Sequence, residues 1–451
     1  MTDDRPDIIR AASSSETVEQ PEWLQERLEW FSTLKLGLFL HWGIYSQWGC
    51  IESWPLVEAD AWARPDDLPA WVERNNDIAR FKRDYWALNR TFNPTQFDPQ
   101  AWAAEAERAG MKYVAFTTKH HDGFSMFDTR QTDYRITHAD CPFHSNPRAN
   151  VTREVFDAFR AERMAISCYF SKSDWHSPYY WDPACHAPDR HPNYDIHAEP
   201  ERWEWFVQFV HGQIQELMTG YGAIDCLWLD GGQVRPPNQD IRMAEIAAMA
   251  RSHQPGLIIA DRTVGGPFEN ILTPEQQIPD EPLPQAWESC LTMGKSWAYR
   301  PDEVYKPTRQ LLEMLLDIVA KGGNLLLGIG PTPEGLFPAG AIERLRELGD
   351  WLNVNGDAIY GTEPVAPYTE GQFRFARRRD RVYATWVAAE GETAPPEKVT
   401  LKGLTPAEGS AVRLLGVPDP LAWRFTDAGA EVSLPLDRLP CANAWTITFR
   451  R

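Results

Sequence analysis

The sequence predicts an α/β fold: a (β/α)8-like barrel of the TIM type followed by a C-terminal antiparallel β-sandwich. Three observations predict it. Helical and apolar stretches alternate through roughly the first 350 of the 451 residues, the order that builds a parallel sheet. The apolar stretches are short and continuous, as strands covered on both faces must be. Beyond about residue 360 the pattern changes to period two between Gly, Pro and Asp turns, which suits antiparallel strands. A doubly wound sheet is the alternative. It is weakened because neither Gly-x-Gly-x-x-Gly nor a P-loop follows any strand.

In chain order, residues 1–20 read as a flexible N-terminal tail and 21–358 as the barrel, with 359–451 as the sandwich. The helix PEWLQERLEWFSTL (21–34) opens on Pro21 and leads to the strand KLGLFLHWG (35–43). FDPQAWAAEAERAG (97–110) has helical spacing, ends on Gly110, and leads to the strand MKYVAFTT. REVFDAFRAE leads to the strand MAISCYFS (164–171). The long amphipathic ERWEWFVQFVHGQIQELMTG (201–220) leads to IDCLWLDGG, and QDIRMAEIAAMARSH to GLIIADR (256–262). TRQLLEMLLDIVAKGG leads to NLLLGIGP, and the helix GAIERLRELGDWLNVNG closes the series. RVYATWVA, KVTLKGL, AVRLLG, AEVSLPL and AWTITFR then read as strands of the sandwich.

Bulk properties narrow the function. The formal net charge is −19, with no Lys/Arg-rich run, which argues against nucleic acid and against an anionic membrane surface. No apolar stretch has membrane-spanning length. The first twenty residues lack a basic segment followed by an apolar one, so they do not read as a secretory signal. The seven cysteines form no C-x-x-C pair and several sit inside apolar runs. A reducing, cytoplasmic setting is therefore expected unless a signal has been removed. Twenty tryptophans suit either a large core or platforms for sugar rings.

In a β/α barrel the chemistry lies at the C-terminal ends of the strands. Here those ends carry His41-Trp42, His120-His121-Asp122, Tyr169 with Ser173-Asp174-Trp175-His176, Trp228 with Asp230, and Asp261-Arg262. If they converge on one mouth, its lining is that of a sugar site. A single strand-end histidine is more often a hydrogen-bonded structural residue, and Asp230 alone could cap a turn. The adjacent His120 and His121, taken with His41, favour a shared site. No His-x-His follows the first strand, so no metal is expected, and no cofactor. Glycosidic cleavage needs two carboxyl groups. Asp230 suits the fixed one, while Glu52, Glu275, Asp280, Glu281 and Glu288 are all open for the second.

These residues carry a wider resemblance. KLGLFLHWGIYS (35–46), AGMKYVAFTTKHHDGFSMFDT (109–129), YFSKSDWH (169–176), IDCLWLDGG (224–232), ADRTVGG (260–266), TPEQ (273–276), WESCLTMGKSWAY (287–299), IVAKGGNLLLGIGPTPEG (318–335) and WLNVNGDAIYGTEP (351–364) occur in this order. Together they resemble the α-L-fucosidases of glycoside hydrolase family 29. The resemblance implies a retaining exo-α-L-fucosidase that takes fucosylated oligosaccharides or glycoconjugates by double displacement.

By position, Asp230 matches the family's nucleophile. His41, His120, His121, Trp228 and Arg262 match residues that hold the fucose hydroxyls and ring, and Tyr169 a tyrosine near the nucleophile. Trp297 matches an aromatic against the fucose methyl. Glu275 matches the loop carboxylate that serves as acid/base, with Glu288 the runner-up or a supporting residue. Glu52 and Trp54 resemble a Glu-Trp sugar-binding element, although there the pair is adjacent. Gly328 stands where many members carry Asn. The rival readings are an exo-glycosidase for another galactose-configured sugar and a catalytically silent carbohydrate-binding protein. Linkage preference and the choice between monomer and homo-oligomer are not written in the sequence.

Overall fold

The computed structural model describes residues 20–64 and 77–451. The expected N-terminal tail therefore lies, but for Gln20, outside the described residues.

Helix α1, Glu22–Leu34, starts behind Pro21 and buries Leu24, Leu28 and Phe31, one helical face. It leads into β1, Leu36–Leu40, buried along its whole length. Six further parallel strands follow: β2 Tyr113–Lys119, β3 Ala165–Ser171, β4 Cys226–Asp230, β5 Ile258–Asp261, β6 Glu288–Thr292 and β7 Asn324–Ile329. Their order in the sheet is β5-β4-β3-β2-β1-β7-β6. The connections carry α2 Ile78–Trp86, α3 Pro99–Arg108, α4 Val151–Ala161, α5 Pro200–Gly220, α6 Met243–His253 and α7 Thr308–Ala320, and α8 Ala339–Asn355 follows β7. Local chemistry starts several of these helices. Asp98 caps α3 by accepting from the Ala101 N–H, with Pro99 in the first turn.

Among the described residues the parallel sheet thus has seven strands, where a regular barrel has eight. The segment between β5 and β6 fills the remaining place. Its Asn270 N–H donates to the Ile259 carbonyl on one side, while Glu288 N–H donates to Leu272 O and Cys290 N–H to Pro274 O on the other. Strand β6 stands outside the series of apolar runs, because ESCLT is short and partly polar.

Side-chain alternation divides each strand between two environments. Leu36, Leu38 and Leu40 of β1 pack outward with Val114, Phe116, Leu227 and Leu327 against the helices. Phe39, Ala115, Tyr169, Trp228, Ala260 and Leu326 point inward and form a second, more aromatic cluster. One or two residues past these inward positions lie His41, Asp230 and Arg262, so the barrel's own periodicity delivers polar groups to its mouth.

After α8 the chain forms two antiparallel sheets. The larger has the order β12-β15-β10-β9-β8 and the smaller β11-β14-β13. Their ranges are β8 Glu363–Glu370, β9 Phe373–Arg378, β10 Arg381–Val387, β11 Lys398–Leu401, β12 Arg413–Leu414, β13 Trp423–Thr426, β14 Gly429–Ser433 and β15 Ala444–Arg450. Phe375, Val382, Leu401, Val432, Ile447 and Phe449 fill the space between the sheets. Strands β8, β9 and β13 were not foreseen. β8 carries two prolines and is mostly exposed, so it lacks the apolar rhythm of a core strand. The sandwich is tied to the barrel by the Trp351 indole, which donates to Ala444 O at 2.9 Å, and by the Arg374–Asp317 ion pair. Among the described residues, no helix is long and apolar enough to cross a membrane.

Candidate active site

Asp230 ends β4 and is the most heavily partnered group at the mouth. Its Oδ1 accepts from the backbone N–H of Gly231 at 2.8 Å and from Arg262 at 3.1 Å. Its Oδ2 accepts from the Tyr169 hydroxyl at 2.7 Å and lies 3.6 Å from His121 Nε2. Burial alone would raise its pKa, but the Arg262 guanidinium and the Tyr169 hydroxyl outweigh burial and hold it well below the usual carboxylate range. Asp230 is therefore a carboxylate at any working pH, with both oxygens oriented.

Arg262 does more than neutralise Asp230. Its other terminal nitrogen donates to Glu275 Oε2 at 2.6 Å, and its guanidinium lies over Trp228, 4.8 Å from the ring centroid. One side chain thus joins a strand-held carboxylate to a second carboxylate on the segment between β5 and β6. Asp230 keeps 17% of its side-chain surface exposed and Glu275 40%, so Glu275 is the more accessible of the two.

The histidines form one wall. The rings of His120 and His121 lie 4.4 Å apart, and His120 stacks on Tyr169 at 5.8 Å. His41 packs on Phe39 at 4.2 Å and faces Trp297 at 5.0 Å. Burial pushes the His41 pKa down to about 3 and the His121 pKa to about 4, and holds His120 well below its ordinary value. All three are neutral at pH 7 and can exchange hydrogen bonds with hydroxyls. His120 Nδ1 is held by Ser53 Oγ at 2.5 Å, and His121 Nδ1 by Ser171 and Ser173. His41 Nδ1 is buried, with no hydrogen-bond partner among the described residues.

Glu52 and Trp54 come from the loop after β1. Glu52 is fully buried, and its backbone sits in the left-handed region at φ 39°, a conformation held only where the surroundings demand it. Its Oε1 accepts from the Ala298 N–H at 2.8 Å, whereas Oε2 has no hydrogen-bond partner among the described residues. Burial, with the nearby charges of Glu275 and Asp230, pushes its carboxyl up to about 8 against the pull of the Ala298 N–H. At neutral pH it is a protonated group with an unused O–H. The Trp54 ring lies 4.9 Å from His121 and beneath the Arg190 guanidinium at 4.4 Å.

Some expected residues are engaged elsewhere. Glu288 lies at the start of β6, below the mouth and 1% exposed. It accepts from the Tyr113 hydroxyl at 2.7 Å and from the Trp228 indole at 2.8 Å. Its carboxyl, pushed up to about 7 by burial, supports the Trp228 ring and has no path to a substrate. Asp174 pairs with the buried Lys119, His176 stacks on Tyr134, and Asp261 pairs with Lys172. The strand ends therefore converge less completely than the sequence suggested. Asp280 and Glu281 are exposed.

The strand ends did not point to Ser53 or Ser171. Ser171 could have been found by counting two residues along β3 from the inward Tyr169. Gly328 matters by what it lacks: a Cβ there would lie 2.6 Å from the Trp297 ring. As for metal, His120, His121 and Asp230 can bring ligand atoms within 4.8 Å of one another. In that trio Asp230 is already held by Arg262 and Tyr169, and His121 by Ser171 and Ser173.

The family model described as Alpha-L-fucosidase matches residues 8–357. The chain belongs to the alpha-L-fucosidase family. Its relatives include the plasma alpha-L-fucosidase of Rattus norvegicus, 28% identical over 448 residues, covering 93% of this chain and 90% of that one. The tissue alpha-L-fucosidase of Mus musculus is 28% identical over 456 residues, covering 94% and 91%. Among solved structures, alpha-L-fucosidase isoenzyme 1 from Paenibacillus thiaminolyticus superposes with a TM-score of 0.78 at 29% identity, covering 95% of this chain and 99% of that one. The alpha-fucosidase of Thermotoga maritima, in complex with a mechanism-based inhibitor, gives 0.73 at 27% identity, covering 94% and 98%. This alpha-L-fucosidase family member is a retaining glycoside hydrolase with a TIM-like domain and a C-terminal sandwich. Neither an exo-glycosidase for another galactose-configured sugar nor a silent binding protein is favoured.

Proposed function

We propose that this fucosidase removes terminal α-L-fucose from fucosylated oligosaccharides or glycoconjugates, with Asp230 as nucleophile and Glu275 as acid/base. The observation that carries the assignment is the Arg262 bridge, which sets one fixed, ionised carboxylate and one accessible carboxylate on opposite arms of the same guanidinium. Asp230 attacks the anomeric carbon while Glu275, released from Arg262, protonates the departing oxygen. Water then attacks the fucosyl-enzyme with Glu275 as base, and the anomer is retained. His41, His120, His121 and the protonated Glu52 exchange hydrogen bonds with the sugar hydroxyls. Trp228, Trp54 and Trp297 pack on its apolar faces. Tyr169 and Arg262 keep Asp230 aimed.

Residues 21–358 are proposed as the catalytic unit and 359–451 as an accessory sandwich. A cytoplasmic setting is supported by Cys141, Cys168, Cys226 and Cys290, which are buried free thiols. The test is hydrolysis of p-nitrophenyl α-L-fucoside followed by proton NMR, beside a panel of other aryl glycosides and with EDTA in one arm. The reading expects α-L-fucose as the first-formed anomer, weak turnover of the other glycosides and no loss with EDTA. First-formed β-L-fucose, or loss restored by zinc, would contradict it.

A further inference from the structure

Ser171, the last residue of β3, and Ser173 stand behind His121. The His121 Nδ1 lies 2.6 Å from Ser171 Oγ and 2.9 Å from Ser173 Oγ. Ser171 Oγ is also 2.7 Å from the carbonyl oxygen of Ser173. These contacts have to share a small number of protons. A hydroxyl has one proton to give and a carbonyl oxygen has none. The Ser171 proton must therefore serve the Ser173 carbonyl, or two bare oxygens would face each other at 2.7 Å. The short contact between Ser171 Oγ and His121 then needs a proton from Nδ1. Placing the protons any other way leaves one of the two close contacts without a hydrogen.

The opposite ring nitrogen faces Asp230. Nε2 is 3.6 Å from Asp230 Oδ2, beyond hydrogen-bond reach. Oδ2 already accepts from Tyr169 at 2.7 Å. A protonated Nε2 beside a carboxylate would be expected to close that gap.

We infer that Ser171 and Ser173 are positioning residues that lock His121 in the tautomer with its proton on Nδ1, presenting a bare Nε2 beside Asp230. Two consequences follow for the reaction, and these rest on Asp230 being the nucleophile as proposed above. His121 does not donate to the attacking carboxylate, so Oδ2 keeps a lone pair that a second donor would occupy. The bare Nε2 is also left as an acceptor for a sugar hydroxyl that enters between His121 and Asp230. That hydroxyl is thereby turned away from the nucleophile and held.

The tautomer is read directly by long-range proton–nitrogen NMR on the full-length resting enzyme with nitrogen-15-labelled histidine, at neutral pH. The His121 signals are assigned by their loss in His121→Asn. The expected result is a pyrrole-type Nδ1 and a pyridine-type Nε2. In Ser171→Ala/Ser173→Ala both signals should move toward their mean. Turnover of an aryl fucoside should then fall roughly three- to tenfold, the range of one to two lost hydrogen bonds. Ser171→Thr, which keeps the hydroxyl, should retain the wild-type signals and rate. A pyrrole-type Nε2 in the wild type overturns the inference, as does a folded double variant with unchanged signals. The wild-type spectrum decides even if the double variant does not fold. It involves no substrate, so its failure would leave the fucosidase reading standing, while a wild-type enzyme inactive on fucosides would sink only that reading.

Discussion

At the scale of single residues, two carboxyls are distinguished by their surroundings. Glu275 is accessible and reaches Arg262, whereas Glu288 is sealed beneath Trp228. An acid catalyst matters most when the leaving oxygen is basic. Glu275→Ala should cost on the order of 10²–10⁴ in rate on a fucosylated oligosaccharide and much less in the first step on a nitrophenyl fucoside. Glu288→Ala should lower both about alike, by loosening Trp228. The opposite pattern, measured on the two substrate classes, would exchange the roles. Glu52 gives a pH signature. Its folded value of about 8 exceeds the ordinary 4.5, so the folded state binds its proton more tightly. The stability this supplies is full below about pH 4.5 and is lost as pH rises through about 8. Melting temperatures should therefore fall more steeply over that window in the wild type than in Glu52→Gln, which keeps a neutral side chain throughout. Parallel curves would show that Glu52 is ionised when folded.

At the scale of elements, β7 and the loop after β6 are matched through an absence. The Trp297 ring lies where a side chain on Gly328 would be. Gly328→Asn should push the indole off β7 and disturb its contact with His41. We expect KM for aryl fucosides to rise several-fold, with turnover and fold largely kept. An unchanged KM would mean that Trp297 does not touch the sugar. The strands bearing Phe39, Tyr169 and Trp228 were legible in the sequence because buried parallel strands are continuous apolar runs. The histidines and Asp230 were legible because they end those runs. Strand β6 was not, since its core-facing Ser289 and Thr292 satisfy their hydroxyls in the fold and give no apolar signal. Nor was the place of Glu275. It lies on an irregular segment that completes the sheet through scattered backbone bonds, and no periodicity announces such a segment.

At the scale of the whole molecule, the barrel brings together groups more than 180 residues apart in sequence, from His41 to Asp230. The aromatic interior beneath them holds Asp230 charged among neutral histidines. The sandwich, docked on α7 and α8, touches none of the proposed site residues through any hydrogen bond or ion pair described above. The proposed mechanism depends on a covalent bond from Asp230 to fucose. Its most direct test is Asp230→Gly with an activated aryl α-L-fucoside and added azide. The folded variant should show negligible hydrolysis, partial rescue by azide, and a β-L-fucosyl azide product, because azide enters from the side the carboxylate has vacated. Near-wild-type hydrolysis without azide, or an α-L-fucosyl azide, would contradict it.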